Sequence, residues 1–108
     1  MRHVEEVTSN ITAKNVKQWV KPELYYNKNL NGEFGKHSGK NWFAWNGLCP
    51  FHQDKSAGSF FVNKETGAYR CFSCGEAGGD IISFHEKTSN LSFYDTLSDI
   101  LEVMRCKK

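Results

Sequence analysis

Two pairs of candidate metal ligands stand out in the sequence. Cys49 and His52 form a Cys-x-x-His pair, Cys71 and Cys74 form a Cys-x-x-Cys pair, and 18 residues separate the two pairs. Three thiolates and one imidazole at this spacing are typical of a structural, tetrahedral zinc site. Because four protein ligands leave no open coordination position for water, we expect one zinc ion that supports the fold rather than catalysis.

Two other interpretations of the cysteines remain open at this point. The four cysteines of the chain could form two disulfides, or they could be free and buried. Disulfides require an oxidising compartment, and the N-terminal Met-Arg-His-Val-Glu-Glu contains no apolar signal segment. Cys106 has no ligand partner at short spacing, so we interpret it as a free thiol. We therefore expect a zinc protein with a cytoplasmic location.

Short strands rich in aromatic residues are predicted on both sides of the ligand pairs. Residues 41–46 form one strand, and residues 58–63 and 68–72 form a hairpin around a turn at 64–67. Alternation along the hairpin places Phe60 and Val62 on one face and Phe61 on the other. Gly75 follows the second pair, where a positive φ is often needed. Three strands and two ligand turns predict a small α+β fold, an antiparallel zinc ribbon.

Helices are predicted on both flanks of the ribbon. The first covers residues 13–20, with Thr12 as N-cap and an apolar stripe of Val16, Trp19 and Val20, in which Trp19 is interpreted as a packing residue. Asp80 is expected to cap a second helix over residues 81–86, in which His85 lies at the surface or packs. A third helix, with Ser92 in an N-terminal capping signature, runs to about residue 104.

The 108 residues are expected to form one domain. Residues 1–41 supply an N-terminal helix and a basic loop rich in Gly and Asn at 27–41, and residues 42–108 supply the zinc ribbon with its C-terminal helices. The formal charge of +2 says little about partners. No apolar run has the length of a membrane span, so no membrane association is expected.

Chemistry beyond metal binding has little support in the sequence. We find no Ser or Cys nucleophile constellation and no phosphate-binding loop, so we predict no catalytic residue and no small-molecule substrate. Aromatic residues with interleaved cations favour binding of single-stranded nucleic acid instead, because rings stack on bases while cations contact phosphates. The candidate contact residues are Lys40, Trp42, Trp45, Lys55, Phe61, Lys64, Tyr69 and Arg70.

The motifs resemble the zinc-binding domain of bacterial DnaG-type DNA primases, the Cys-His-Cys-Cys zinc-finger family. The similar segments lie between about residues 42 and 101 and read Gly-Leu-Cys-Pro-Phe-His, Tyr-Arg-Cys-Phe-Ser-Cys-Gly and Gly-Gly-Asp-Ile-Ile-Ser-Phe. The resemblance implies that Cys49, His52, Cys71 and Cys74 bind zinc. It also implies a role in recognising single-stranded template during primer synthesis. The loop at 55–60 departs from the family by one extra residue and the lack of a proline.

We therefore expect a primase-type domain that binds single-stranded DNA and acts with a separate TOPRIM catalytic subunit. The TOPRIM site needs an Asp-x-Asp pair, and this sequence contains none. Two alternatives are an adaptor that binds a replication protein without touching DNA, and a fragment of a full-length primase.

Overall fold

A five-stranded antiparallel sheet forms the centre of the structure, a computed structural model that describes residues 12–52 and 58–105. The strands lie in the sheet in chain order. They are β1 (Glu33–Gly39), β2 (Trp42–Asn46), β3 (Phe60–Asn63), β4 (Tyr69–Cys71) and β5 (Ala77–Gly78). The antiparallel ribbon is confirmed. The sequence predicted β2, β3 and β4, and the two edge strands β1 and β5 are additional.

The first hairpin joins β1 to β2 through Lys40 and Asn41. Asn41 has a positive φ of 61°, a conformation that asparagine tolerates better than most residues. The predicted loop at 27–41 is therefore wrong: residues 33–39 pair with β2, and residues 27–29 end a helix. No strand pattern is visible in this segment, because it contains glycines and lacks alternating apolar residues. Its pairing with β2 is what makes it a regular strand.

Four helices flank the sheet in the described residues: α1 (Ala13–Trp19), α2 (Pro22–Asn29), α3 (Ile81–Ser89) and α4 (Phe93–Arg105). The three predicted caps are confirmed, since Thr12, Asp80 and Ser92 each accept a hydrogen bond from the backbone N–H three residues later. Helix α2 was not predicted. No described helix combines the length and apolar character needed to cross a bilayer.

The helices pack against one face of the sheet, which we call the inner face. Phe60 and Val62 are fully buried there whereas Phe61 is not, which confirms the predicted alternation. The Phe84 ring of α3 lies edge-on to the Tyr69 ring at a centroid distance of 5.2 Å. Trp19 does not follow its prediction as a packing residue: Val16 and Val20 are buried, but the Trp19 side chain is 60% exposed.

Helix α2 is tied to the rest of the core by its two buried tyrosines. The Tyr25 hydroxyl lies 2.6 Å from His85 Nδ1, and His85 Nε2 lies 2.7 Å from an Asp99 carboxylate oxygen. The Tyr26 hydroxyl donates to the Gly67 carbonyl oxygen at 2.6 Å. Burial raises the pKa of both tyrosines well above the ordinary value, so both stay protonated as donors. His85 is thus a packing residue.

Candidate metal centre and nucleic-acid interface

The four predicted ligands converge at the end of the sheet. Cys49 and His52 lie in the segment after β2, Cys71 is the last residue of β4, and Cys74 follows in a tight turn. Their ligand atoms all lie within 4.8 Å of one another. The Cys49 and Cys74 sulfur atoms are 3.9 Å apart, close to the roughly 3.8 Å that tetrahedral zinc with 2.3 Å Zn–S bonds requires. The structure thus brings the four predicted ligands together in a cluster that could hold one metal ion.

Backbone amides in both turns point at the ligand sulfur atoms. The Phe51 amide donates to Cys49 Sγ at 3.3 Å, and the Ser73 and Cys74 amides donate to Cys71 Sγ at 3.4 Å each. Gly75 has a φ of 84°, as its position after the ligand pair predicts, and its N–H donates to the Cys71 carbonyl oxygen. Each turn therefore holds one ligand sulfur atom, Cys49 Sγ or Cys71 Sγ, and stabilises negative charge on it.

The two buried thiols differ in acidity. Burial raises the pKa of Cys49 to about 12, against the opposing hydrogen bond from the Phe51 amide. Burial also acts on Cys71, but the amides of Cys74 and Ser73 outweigh it and lower the pKa to about 7. Of these two thiols, Cys71 is therefore the one that ionises more readily. A coordinating metal ion deprotonates its thiol ligands outright, so zinc binding would convert all three cysteines to thiolates.

The metal centre is continuous with the core. Cys71 is fully buried between Phe60 of β3 and the ligand turn, and Phe51 stacks on the Tyr69 ring at 5.5 Å with an interplanar angle of 17°. Three sulfur donors and one imidazole suit zinc, and four protein ligands leave no position for a substrate. The chemistry that zinc would supply here is structural: it would join the two ligand turns and fix the end of β4.

The sheet face opposite the helices carries a second group of side chains, which we call the outer face: Trp42, Phe61, Arg70 and Phe72. Phe61 lies directly opposite Arg70 in the β3–β4 pairing. Phe72 lies edge-on to Phe61 at 5.3 Å, and the Arg70 guanidinium carbon is 4.9 Å from the Phe72 ring centroid. The Phe72 side chain is 64% exposed. These contacts hold one cation and two rings in a fixed arrangement at the surface.

The outer face is concave. Its four residues, together with Ser38 and Gly39, line an open groove of about 310 Å³. None of these lining residues is acidic. Lys40, at the turn between β1 and β2, is exposed and adjoins the groove in sequence. The structure therefore brings three predicted contact residues to this surface, Trp42, Phe61 and Arg70, and Lys40 lies in the turn that follows Gly39.

Three other predicted contact residues are not on this surface. Trp45 and Tyr69 are each only 1% exposed, and the Trp45 indole N–H donates to the Asn31 carbonyl oxygen. Neither ring can stack on a base, so these two predictions are wrong: aromatic content alone does not separate core from surface.

Lys64 lies above the Phe43 ring, at 4.3 Å, and pairs with Glu23 of α2. Lys55 lies outside the described residues.

Phe72 was not among the predicted contact residues, although it is the most exposed ring of the outer face. The sequence contains a signal for it. Phe72 follows Cys71, whose side chain points into the cluster of four ligands, and alternation sends the next side chain to the opposite face.

Comparison with known proteins identifies the family. Residues 35–107, more than half of the chain, match the model of the CHC2 zinc finger of DnaG-type proteins. A DNA primase of Clostridium acetobutylicum is 45% identical over 62 residues, which are 57% of this chain and 10% of that protein. A DNA primase of Lactococcus lactis is 42% identical over 65 residues, 60% of this chain and 9% of that protein.

The fold has a counterpart among solved structures. The crystal structure of the zinc-binding and RNA polymerase domains of the Aquifex aeolicus primase superposes with a TM-score of 0.62 at 24% identity. The match covers 82% of this chain and 20% of that one. The chain thus spans about a tenth of the length of the curated relatives that it matches. It belongs to the CHC2 zinc finger family, as a DnaG-type primase zinc-binding domain positioned to hold one zinc ion.

Proposed function

We propose that this domain binds single-stranded DNA template through its outer face during primer synthesis. The observation that carries the proposal is the Arg70 guanidinium held over the exposed Phe72 ring, with Trp42 and Phe61 in the same groove. Exposed rings stack on bases of any sequence, at about 1–3 kcal/mol per base, and a neighbouring guanidinium pairs with phosphate. Lys40 adds a second cation beside the groove.

The zinc ion has a defined part in this proposal. Arg70 precedes and Phe72 follows the ligand Cys71, so the metal fixes the backbone between the cation and the ring. Zinc contacts neither base nor phosphate. It orients the residues that do, and removing it with a chelator should abolish DNA binding together with the fold.

The test is a fluorescence titration of a labelled single-stranded oligonucleotide with the zinc-loaded protein at several salt concentrations. A surface of this size should engage about 3–5 phosphates, which gives a slope of about −2 to −3.5 in log K against log salt. Phe72→Ala should weaken binding by about tenfold or more without changing thermal stability. Tyr94→Ala, which removes an equally exposed ring from α4, is the matched control and should leave binding unchanged.

Absence of saturable binding at low salt would contradict the proposal. So would binding that survives Phe72→Ala and Arg70→Ala with an unchanged slope. Either result would favour the adaptor, in which the same exposed rings bind a replication protein.

Primer synthesis itself is assigned to a separate TOPRIM catalytic region. The absence of an Asp-x-Asp pair from the sequence and the far greater length of the primase relatives support this division. The chain alone, incubated with template, nucleotides and magnesium, should make no primer. Template-dependent product from a preparation free of other polymerases would contradict this assignment.

A further inference from the structure

A second concave surface lies on the helical side of the molecule, between α1, α2 and α4. We call it the helical groove and define it by Trp19, Lys21, Leu24, Asn27, Lys28 and Met104. Its volume is about 470 Å³. The groove shares no lining residue with the outer face, which lies across the sheet from the helices.

The centre of the helical groove is apolar and exposed. Trp19 is 60% exposed and Leu24 is 56% exposed, while their neighbours Val16 and Val20 are buried in the core. Met104 of α4 contributes a flexible, polarizable side chain to the same surface. Exposed tryptophan and leucine side chains beside a half-buried methionine are typical of the centre of a protein–protein interface rather than of a solvated helix face.

The groove is also basic. Residues 12–30 contain four lysines and one glutamate, and that glutamate, Glu23, pairs with Lys64. Lys17 pairs with Asp80. Within the described part of the chain, Lys21 and Lys28 form no ion pair, and no residue that lines the groove is acidic. A partner that covers the groove is therefore expected to bind most tightly if it carries acidic groups beside an apolar centre.

Two other occupants fit less well. A single-stranded nucleic acid needs several ring platforms, and this groove offers one ring among aliphatic side chains. A second copy of the chain in a two-fold pairing would place these lysines against their own equivalents. An amphipathic helix fits both the apolar centre and the lysines of the groove. It places apolar anchors at i, i+3, i+4 and i+7 and acidic side chains on its flanks. The matched family segment begins at residue 35, after α1 and α2.

We propose that the helical groove docks an acidic amphipathic helix of a partner protein. Trp19, Leu24 and Met104 take the apolar anchors of that helix, and Lys21 and Lys28 pair with its carboxylates. The surface is separate from the outer face, so DNA and the partner helix can bind at the same time.

The experiment uses the zinc-loaded full chain and a labelled peptide of about four helical turns, with leucines at i, i+3, i+4 and i+7 and glutamates on the flanks. The controls are a scrambled peptide of identical composition, a peptide with lysine in place of glutamate, and the single-stranded oligonucleotide. We expect saturable binding of the acidic peptide, and binding at least about tenfold weaker for both control peptides.

Variants at exposed positions keep the fold intact and identify the surface. Lys28→Glu and Leu24→Ser should each weaken peptide binding by about tenfold. Their matched controls are Lys36→Glu on β1 and Tyr94→Ser on α4, exposed sites outside the groove that should leave binding unchanged. In a ¹⁵N spectrum the Trp19 indole N–H signal should shift with the peptide, while the Trp42 and Trp45 signals stay in place.

The proposal would be overturned by a lack of saturable binding of the acidic peptide, by equal weakening from Lys28→Glu and Lys36→Glu, or by a Trp19 signal that shifts with the oligonucleotide instead. The last would make the groove a nucleic-acid surface. Self-association that Leu24→Ser abolishes would also overturn it, in favour of a second copy of the chain.

Discussion

The two faces of the sheet draw on the same strands and the same residue types but differ in what those residues do. On the inner face, Trp45, Phe60 and Tyr69 are at most 1% exposed. Phe60 and Tyr69 pack against Phe84 of α3, and Trp45 packs edge-on against Phe34 of β1. On the outer face, Trp42 and Phe61 are partly exposed, and Phe72 is 64% exposed. Aromatic density therefore does not identify a binding surface. The pairing register does, because it determines which rings the helices cover.

The two tryptophans of β2 show the difference within one strand. Trp42 and Trp45 are three positions apart, so they point to opposite faces. Trp45 is buried, and its indole N–H is bonded to Asn31. Trp42 lines the outer groove beside Arg70. We assign the first to stability and the second to binding, and the following predictions test that division.

The largest effect is expected at the metal centre, on which both faces depend. Cys74→Ser removes one of four zinc ligands and should release the metal with loss of most tertiary structure. Structural zinc contributes about 10–16 kcal/mol of apparent binding free energy in small zinc-finger peptides, and that energy is also folding energy. Zinc content per chain and near-ultraviolet circular dichroism are the measurements.

The matched control for this substitution is Cys106→Ser, which should keep full zinc stoichiometry. A Cys74→Ser protein with one zinc per chain and native thermal stability would show that the fourth ligand has been assigned wrongly. Loss of metal from Cys106→Ser would point to the same error.

The next largest effect separates the two tryptophans. Trp45→Ala leaves a cavity beside the Phe34 ring and removes the hydrogen bond to the Asn31 carbonyl oxygen, and should lower the free energy of unfolding by about 3–5 kcal/mol. Trp42→Ala should cost clearly less in denaturant unfolding, yet weaken oligonucleotide binding. Equal losses of stability for both variants would remove the distinction between the faces.

The metal centre was the part of the molecule that the sequence predicted best. Cys49, His52, Cys71 and Cys74 lie in two turns, and each turn sets its own ligand spacing through local backbone hydrogen bonds. The three helix caps also depend on hydrogen bonds between residues that are close in the chain, so they too could be predicted from the sequence. Features that depend on contacts within four or five residues can therefore be predicted from the sequence.

Features decided by distant contacts were missed. Strand β1 contains glycine and polar residues and exists through its pairing with β2. Helix α2 is held by buried tyrosines that reach His85 and Gly67, 60 and 41 residues away in the chain. The burial of Trp45 and Tyr69 was mispredicted for the same reason, because Trp45 packs against Phe34 of β1 and Tyr69 packs against Phe84 of α3.

A smaller effect on the inner face is expected from Tyr25→Phe. The substitution keeps the ring but leaves His85 Nδ1 buried without the hydroxyl that lies 2.6 Å away. The free energy of unfolding should fall by about 1–3 kcal/mol. The affinity for the oligonucleotide should be unchanged under conditions in which the variant is fully folded. Tyr94→Phe, at an exposed position, is the control and should change neither quantity. Weakened DNA binding by Tyr25→Phe would indicate that the two faces are coupled.

The smallest expected effect is on the salt dependence of oligonucleotide binding, and it distinguishes Arg70 from Lys64. Arg70→Ala should flatten the slope of log K against log salt by somewhat less than one, because about one fewer counterion is released. Lys64→Ala should leave the slope unchanged, since Lys64 pairs with Glu23 and lies over Phe43 rather than on the outer face. A larger change for Lys64 than for Arg70 would move the nucleic-acid surface to the helical side.

The most direct test of the outer face as the DNA surface is a ¹⁵N spectrum of the three tryptophan indole N–H groups during titration with a single-stranded oligonucleotide. The Trp42 signal should shift in proportion to occupancy. The Trp45 signal, protected by its hydrogen bond to Asn31, and the Trp19 signal, on the helical groove, should stay in place. A stationary Trp42 signal at saturating oligonucleotide would contradict the account.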